Sequence, residues 1–106
     1  MTDLAGALAL LDRRARAYSV SAWRARDRAA IAYALAGTFV ELARAAGDGA
    51  PPGTPVPDVA EHGIADVLAV LGQDLVAAQP NAEITAAAVR AVQGALDAFE
   101  ATSLRL

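Results

Sequence analysis

The amino-acid sequence predicts an all-α fold, either an antiparallel four-helix bundle or two helical hairpins completed by dimerisation. More than a quarter of the 106 residues are alanine, the residue with the highest helix propensity. Proline and glycine cluster in one long segment, and apolar residues elsewhere recur at steps of three and four, the spacing of one buried helix face. Residues 1–106 are expected to form a single helical domain, which is usual for this length.

Two helices are predicted in the first half, at about residues 3–18 and 21–46. The first carries an apolar face of Leu4, Leu8, Leu11, Ala15 and Tyr18. The later residues Ile31, Leu35 and Leu42 point to a different face at the helical period. This change of phase predicts a break near residues 19–21, with Ser21 as the capping residue, although one long bent helix fits the same pattern.

Two further helices are predicted in the second half, at about residues 58–78 and 81–103, after a loop at 47–57. The loop holds four of the five prolines. Asp58 and Glu61 have the spacing of a capping box, and Pro80 followed by Asn81 marks the boundary between the two helices. The third helix carries Ala60, Ile64, Val67, Leu71, Leu75 and Ala78 on one face, and the fourth carries Val89, Val92, Leu96 and Phe99.

The predicted core is thin. Hydrophobic residues make up 56% of the chain, but much of that share is alanine, and aromatic residues make up only 5%. Aromatic side chains normally contribute much of the core energy, and small domains bury a low fraction of their surface. Packing against a second copy or another protein would compensate. The many alanines and glycines have two possible explanations. GC-rich coding favours alanine, arginine and glycine, and small residues such as glycine let helices approach closely.

The charges are unevenly distributed along the chain. All nine basic residues are arginines, and seven of them lie in residues 1–50 against five acidic residues, whereas residues 51–106 hold two arginines and seven acidic residues. The arginines between Arg13 and Arg28 could pair with the acidic residues of the third helix, bind an acidic protein surface or bind nucleic-acid phosphates. The net charge of −3 argues against nucleic acid.

The residues selected for contact with a partner protein surround the single tryptophan. Trp23 could fill the space between helices, or it could serve as an exposed anchor among arginines. The selected residues are Arg13, Arg16, Trp23, Arg24 and Arg28.

A metal site is an alternative for the only histidine. Asp58, His62 and Asp66 are four residues apart and would share one face of the third helix, so they could present two carboxylates and an imidazole to one ion. Bundles that bind metals normally take ligands from several helices, and a solvated histidine with partners at i±4 fits the same spacing.

The chemistry of the sequence favours a protein that acts by contact over an enzyme, although a carboxylate pair on neighbouring helices could still do acid–base work. No cysteine is present, which excludes disulfides, zinc–thiolate sites and thiol nucleophiles. The three serines lie where helix ends are expected, and no phosphate-binding glycine loop is present. No cofactor and no membrane segment is expected. We therefore expect a small soluble cytoplasmic helical protein that is a homo-oligomer or an accessory subunit. Binding of a ligand or metal is the alternative function, and binding of nucleic acid is a weaker one.

Overall fold

The computed structural model describes residues 3–25, 27–47 and 61–104. Most of these residues are helical, and no strand occurs among them, so the all-α class is confirmed. The five α-helices are α1 (Leu4–Ala17), α2 (Val20–Arg24), α3 (Arg28–Ala45), α4 (Ile64–Ala77) and α5 (Ala82–Leu104), with a 3-10 turn at Glu61–Gly63 before α4. The predicted loop lies almost entirely outside the described residues, as do Asp58 and Ala60. None of the described helices is long and apolar enough to cross a membrane.

Side chains cap three of the helices at their N-termini. The Asp3 carboxylate accepts a hydrogen bond from the Gly6 backbone N–H at 2.6 Å, and the Ser19 hydroxyl accepts one from Ala22 at 3.1 Å. The Asn81 amide oxygen accepts one from the Ile84 backbone N–H at 2.8 Å, which confirms Asn81 as a cap. Each bond satisfies a backbone donor that has no partner within its helix.

The prediction of a single helix at about residues 21–46 is wrong, because the structure has two helices there, α2 and α3. The predicted break near residues 19–21 is present, but Ser19 and not Ser21 caps α2. A second break follows at Ala25 and Asp27, and Asp27 adopts the left-handed conformation with φ of 65°. Aspartate tolerates this conformation better than most residues, so no glycine or proline marks the break in the sequence.

The third helix starts later than predicted. Residues 61–63 form a 3-10 turn, and the regular helix begins only at Ile64. At its other end α4 stops at Ala77, and Gln79 takes a left-handed φ of 52° directly before Pro80. Proline disfavours the right-handed helical conformation in the residue before it, which accounts for this end.

The core is formed between the two halves of the chain and is rich in alanine. Helices α1 and α3 each pack on both α4 and α5. Among the described residues, eight of the nineteen buried hydrophobic side chains are alanines, and the largest fully buried ones are Phe39 and Phe99. The apolar faces predicted from the sequence supply much of this core, and members such as Leu11, Leu75 and Val92 are fully buried.

Candidate functional site

Most residues singled out from the sequence lie close together, where α1 and α2 meet the start of α4. Arg16 is near the end of α1, and Trp23 and Arg24 are in α2. His62 and Asp66 lie opposite them, in the 3-10 turn and in the first turn of α4. We call this region the α1–α2 corner.

The arginines of the corner form ion pairs within the chain. Arg16 donates from Nη1 to Asp66 Oδ1 at 3.1 Å and from Nε to Asp12 Oδ1 at 3.0 Å. Arg24 donates from Nε to Glu61 Oε1 at 2.9 Å, and Arg14 pairs with Glu100 of α5. Arg16 and Arg24 thus pair with acidic residues of the predicted third helix. This is one of the three interpretations of the charge pattern.

These pairs also shift the acid–base equilibria of the groups that form them. The hydrogen bond from Arg24 lowers the pKa of the Glu61 carboxyl below its ordinary value. Asp12 and Asp66 raise the pKa of the Arg16 guanidinium by accepting its hydrogen bonds. Both effects favour the charged forms at neutral pH. A partner that bound either arginine through an anionic group would compete with a carboxylate that is already in place.

Two of the residues selected for partner contact are in the interior. Trp23 is 2% exposed and Arg28 is 7% exposed. The ring of Trp23 meets those of Tyr18 and Phe99 edge to face, with centroids 5.2 and 5.6 Å apart. Trp23 therefore fills the space between helices, which is the first of its two predicted roles.

Arg28 joins the same cluster from the start of α3. Its Nη1 donates to the Ala22 carbonyl at 3.0 Å, and its Nε donates to the Phe99 carbonyl at 3.4 Å. The guanidinium carbon lies 5.1 Å from the centre of the Tyr18 ring, within the range of a cation–π contact. Arg28 thus connects α2, α3 and α5 from inside.

Arg13 is the selected arginine that remains on the surface without an ion pair within the described ranges. Arg26, which would extend the basic segment, lies outside these ranges. Binding of nucleic acid through this segment depends on several arginines that contact phosphates together. The pairs of Arg14, Arg16 and Arg24 leave a smaller positive surface than the sequence indicates.

The three residues of the possible metal site are not described together. Asp58 lies outside the described residues. His62 is exposed in the 3-10 turn, and Asp66 accepts the hydrogen bond of Arg16. Within residues 3–25, 27–47 and 61–104, no three histidine, aspartate or glutamate side chains are placed to hold one ion.

A cleft of about 390 Å³ opens at the corner. Trp23 and Tyr18 lie at its apolar side, and Arg16, Ser19 and His62 lie among its polar residues. The indole N–H of Trp23 has no hydrogen-bond partner in the described part of the chain, and no fully buried side-chain nitrogen or oxygen there lacks one. The indole N–H therefore reaches solvent.

A second surface, which the sequence interpretation did not select, lies on α4. Val70 is 59% exposed and Val76 is 40% exposed. Beside them, a groove of about 380 Å³ runs between α1 and α4, with Ala5 and Ala9 on one side and Ala69, Gln73 and Val76 on the other. The sequence feature that could have pointed to this surface is the composition of α4. Its only charged residues are Asp66 and Asp74.

Leu8 of α1 packs closely against Gly72 of α4 at the bottom of this groove. A Cβ atom placed on Gly72 would lie 2.9 Å from Leu8 Cδ2, closer than van der Waals contact. The corresponding atoms on Gly37 and Gly94 would meet nothing within 4 Å. The close-approach explanation for the glycines therefore holds at Gly72 and not at the other two.

No family model matches the chain, and neither a curated protein nor a solved structure is significantly similar to it.

Proposed function

We propose that this is a small helical protein that acts through protein–protein contact, as a homo-oligomer or as an accessory subunit, and that the outer face of α4 is its contact surface. The outer face of α4 comprises Ala69, Val70, Gln73, Val76 and Ala77. The exposure of Val70 is the observation that carries the proposal, because this is the most exposed large hydrophobic side chain among the described residues.

The composition of α4 supports the proposal. A helix at the surface of a monomer normally has one apolar stripe and a charged opposite face. In α4 the inner side packs with Leu68 and Leu75 in the core, and the outer side presents two valines and two alanines beside Asp66 and Asp74. Such a helix is typical of one that is covered on both sides.

The core supports the proposal as well. Eight buried alanines in place of larger side chains mean that little apolar area is removed from water per residue. Burial stabilises by about 25 cal/mol per Å² of apolar surface, so covering the valines of α4 would add to a small total. Contact with a partner is the direct way to obtain that area.

The same proposal includes the antiparallel four-helix arrangement of α1, α3, α4 and α5. The contacts between α1 and α4 support it, because Leu8 lies against Gly72 while Arg16, two turns further along α1, pairs with Asp66, earlier in α4. Contacts in this order are those of two helices running in opposite directions.

The test is the solution mass of Val70→Arg and of the unchanged protein, measured by light scattering over a dilution series. Arginine at this position has Asp66 and Asp74 four residues away on either side, so the helix itself should be preserved. We expect the unchanged protein to associate and Val70→Arg to be monomeric.

Val20→Arg is the matched control, because Val20 is as exposed as Val76 but lies on α2. Equal association of all three proteins would show that the outer face of α4 is not the contact surface. A folded monomer under every condition would leave only the accessory-subunit form of the proposal. That form fails in turn if Val70→Arg leaves capture of every copurifying protein unchanged.

A second candidate function, the binding of a small ligand, is favoured by the cleft at the α1–α2 corner. Its volume is in the range of small-molecule sites, His62 lies at its edge, and the indole N–H of Trp23 is free to donate. The arginine and glutamate of its lining offset each other in charge, so a neutral molecule with a carbonyl acceptor is the expected class.

The single tryptophan of the chain makes this candidate easy to test. Benzamide should change the Trp23 fluorescence with saturation, and benzoate and benzylamine should do so more weakly. Ala65→Leu, which narrows the cleft, should abolish the effect. If none of the three probes changes the emission at millimolar concentration, the ligand-binding candidate is removed.

A further inference from the structure

Most of the exposed large hydrophobic side chains lie on two neighbouring helices. Within the described ranges, Val70 and Val76 of α4, Leu10 of α1 and Val20 of α2 are exposed, and Leu10 is 39% exposed. Helices α1 and α4 pack against each other, so three of these four side chains are on one side of the molecule. We call this side the α1–α4 flank. It comprises the outer face of α4, Asp66 beside that face, and the exposed residues Ala5, Ala9, Leu10 and Arg13 of α1.

Two contacts define which parts of α1 and α4 lie at the same height along the flank. Leu8 lies against Gly72, and Arg16 pairs with Asp66 at 3.1 Å. With α1 and α4 antiparallel, as proposed above, these contacts are the upper and lower reference points of the flank. Val70 lies one third of the way from the first contact to the second, and it is therefore level with the middle of α1.

Leu10, in the middle of α1, and Val70 lie on opposite edges of the flank. At about 100° per residue, Val70 is turned by about 160° from Gly72, which faces α1, so Val70 lies on the edge of α4 away from α1. Leu10 shares its side of α1 with Arg14, four residues later, and Arg14 pairs with Glu100 of α5. Leu10 therefore lies on the edge of α1 away from α4.

We propose that a second copy of this chain covers the α1–α4 flank, with a two-fold axis that runs along the groove, parallel to the helices. This inference rests on the proposed function and specifies its partner. Rotation about this axis exchanges the two edges of the flank and leaves the height unchanged, so α4 of each copy lies on α1 of the other. Val70 then meets Leu10 of the second copy, and this pair occurs twice, as in every two-fold interface.

The charges of the flank are complementary in the same arrangement. Arg13 is exposed and has no ion pair within the described ranges, and the side chain of Asp66 is 71% exposed although it pairs with Arg16. Arg13 lies about one turn after Leu10, and Asp66 lies about one turn before Val70. Because α1 and α4 are antiparallel, the axis that joins the apolar pair also brings Arg13 of one copy to Asp66 of the other. A carboxylate has enough acceptor sites for both arginines.

The charges also argue against the other two-fold arrangement of this surface. An axis across the helices would place α4 on α4 and α1 on α1. Helix α4 contains two aspartates and no basic residue, so Asp66 would find no cation on the facing helix, and Arg13 would face the arginines of α1. Opposite charges across an interface favour one arrangement, and like charges disfavour the other.

The expected interface is two helices wide and still small. Helices α1 and α4 each have 14 residues, which corresponds to a length of about 21 Å, and packed helices lie about 8–10 Å apart. The short side chains of Ala5 and Ala9 let α4 of the second copy approach closely. A flank of this size is small beside the roughly 800 Å² per partner of a standard interface. Dissociation on dilution through the micromolar range is expected.

The experiment uses the absence of cysteine from the chain. In a dimer of Leu10→Cys or of Val70→Cys, the axis holds the two thiols on opposite edges of the interface, so neither variant alone should cross-link. An equal mixture of the two should form a mixed disulfide in mild oxidant, because facing helices bring these Cα atoms close to the disulfide range of about 4.4–6.8 Å. Val20→Cys is the matched control, since Val20 is 40% exposed but lies on α2, and its mixture with Val70→Cys should not cross-link.

A charge exchange provides a second readout that needs no oxidation. Arg13→Glu should weaken self-association by about tenfold or more, because it places like charges together at both copies of the pair. Adding Asp66→Arg to the same chain should recover part of the association. Arg90→Glu, at an exposed position of α5, is the matched control and should leave association unchanged. The pair of Arg13 forms only between copies, so substitutions of Arg13 should not change the melting of dilute, monomeric protein.

The outcomes separate this inference from the proposed function. Association that Val70→Arg disrupts, without a mixed disulfide between Leu10→Cys and Val70→Cys, would overturn the two-fold arrangement and leave the outer face of α4 as the contact surface. A chain that stays monomeric at millimolar concentration would overturn the second copy as the partner. Cross-linking of Val70→Cys to Val20→Cys as fast as to Leu10→Cys would show random collision and would also overturn the arrangement.

Discussion

The α1–α2 corner and the outer face of α4 differ in how far their side chains already contact other parts of the same chain. The corner holds the residue types most often found at binding centres, tryptophan, tyrosine and arginine, but they contact one another. Arg16 and Arg24 pair with carboxylates, Arg28 donates to two backbone carbonyls, and Trp23 packs on Tyr18 and Phe99. The outer face of α4 consists of valine, alanine and glutamine beside the exposed Asp66 and Asp74, and its two valines project from the surface.

This difference shows that residue type alone does not locate a contact surface. An arginine already held by two aspartates has less to gain from a partner, because part of its charge is already neutralised within the chain. A valine exposed over more than half of its area gains the full transfer free energy of whatever area a partner covers. The corner is thus expected to determine the stability of the fold, and α4 its association.

The largest expected effect of a substitution is at Trp23. Trp23→Ala removes a side chain that is 2% exposed and touches two other rings, and such truncations cost about 3–5 kcal/mol. Urea unfolding monitored by circular dichroism measures this loss. Val70→Ala, measured in dilute solution, should change the free energy of unfolding by less than about 0.5 kcal/mol, as is usual at surface positions.

Trp23→Phe is the control for this comparison. It retains an aromatic ring in the cluster, so its free energy of unfolding should fall by less than that of Trp23→Ala. A stability loss at Val70 as large as that at Trp23, in the monomer, would contradict the division between the two regions.

Much of the fold could be predicted from the sequence because the signals are local. Asn81 after Pro80 marks a helix boundary by its chemistry alone, and the face of Leu4 and Leu11 follows from spacing. The break at Asp27 could not be predicted, because it is a left-handed residue among good helix formers. The later start of α4 could not be predicted either; residues 61–63 form a 3-10 turn, in which Glu61 pairs with Arg24 from a distant part of the chain.

The second largest effect is expected from one substitution made at two glycines. Gly94→Ala should stabilise the protein by about 1 kcal/mol, because alanine is the better helix former and its Cβ meets nothing within 4 Å. Gly72→Ala has the same gain in propensity, but its Cβ lies 2.9 Å from Leu8 Cδ2. Leu8 must then move, and because its methyl group is the end of a flexible side chain, the cost lies at the low end of the range of about 1–3 kcal/mol for such crowding.

We therefore expect Gly72→Ala to give no gain in stability, or a loss, in the unfolding experiment in which Gly94→Ala gives a gain. Because Gly72 lies beneath the groove beside the outer face, Gly72→Ala should also weaken self-association. Equal gains at the two positions would show that Leu8 moves away from the added methyl group without cost.

The candidate sites could be predicted only in part, for a physical reason. Pairing of first-half arginines with acidic residues of the predicted third helix was one of three interpretations that the charge pattern left open, and it is present for Arg16 and Arg24. The charge pattern could not indicate that Arg28 is buried, because that depends on the carbonyls of Ala22 and Phe99, which are far apart in the chain.

The smallest effect is expected from the ion pair of Arg24 and Glu61, and it depends on pH. The pKa of Glu61 is lowered in the folded protein by the hydrogen bond from Arg24. Its contribution to stability is therefore fully present above the pKa of glutamate in the unfolded chain, about 4.3, and is lost as the pH falls through the lower value of the folded state. Both side chains reach solvent, so the contribution is small.

We expect Arg24→Gln to melt slightly below the unchanged protein at pH 7 and at the same temperature at pH 2.5. Arg13→Gln, which removes an exposed arginine of the same segment, should show no such dependence. A difference for Arg24→Gln that persists at pH 2.5 would mean that Arg24 stabilises the corner by packing and not by its charge.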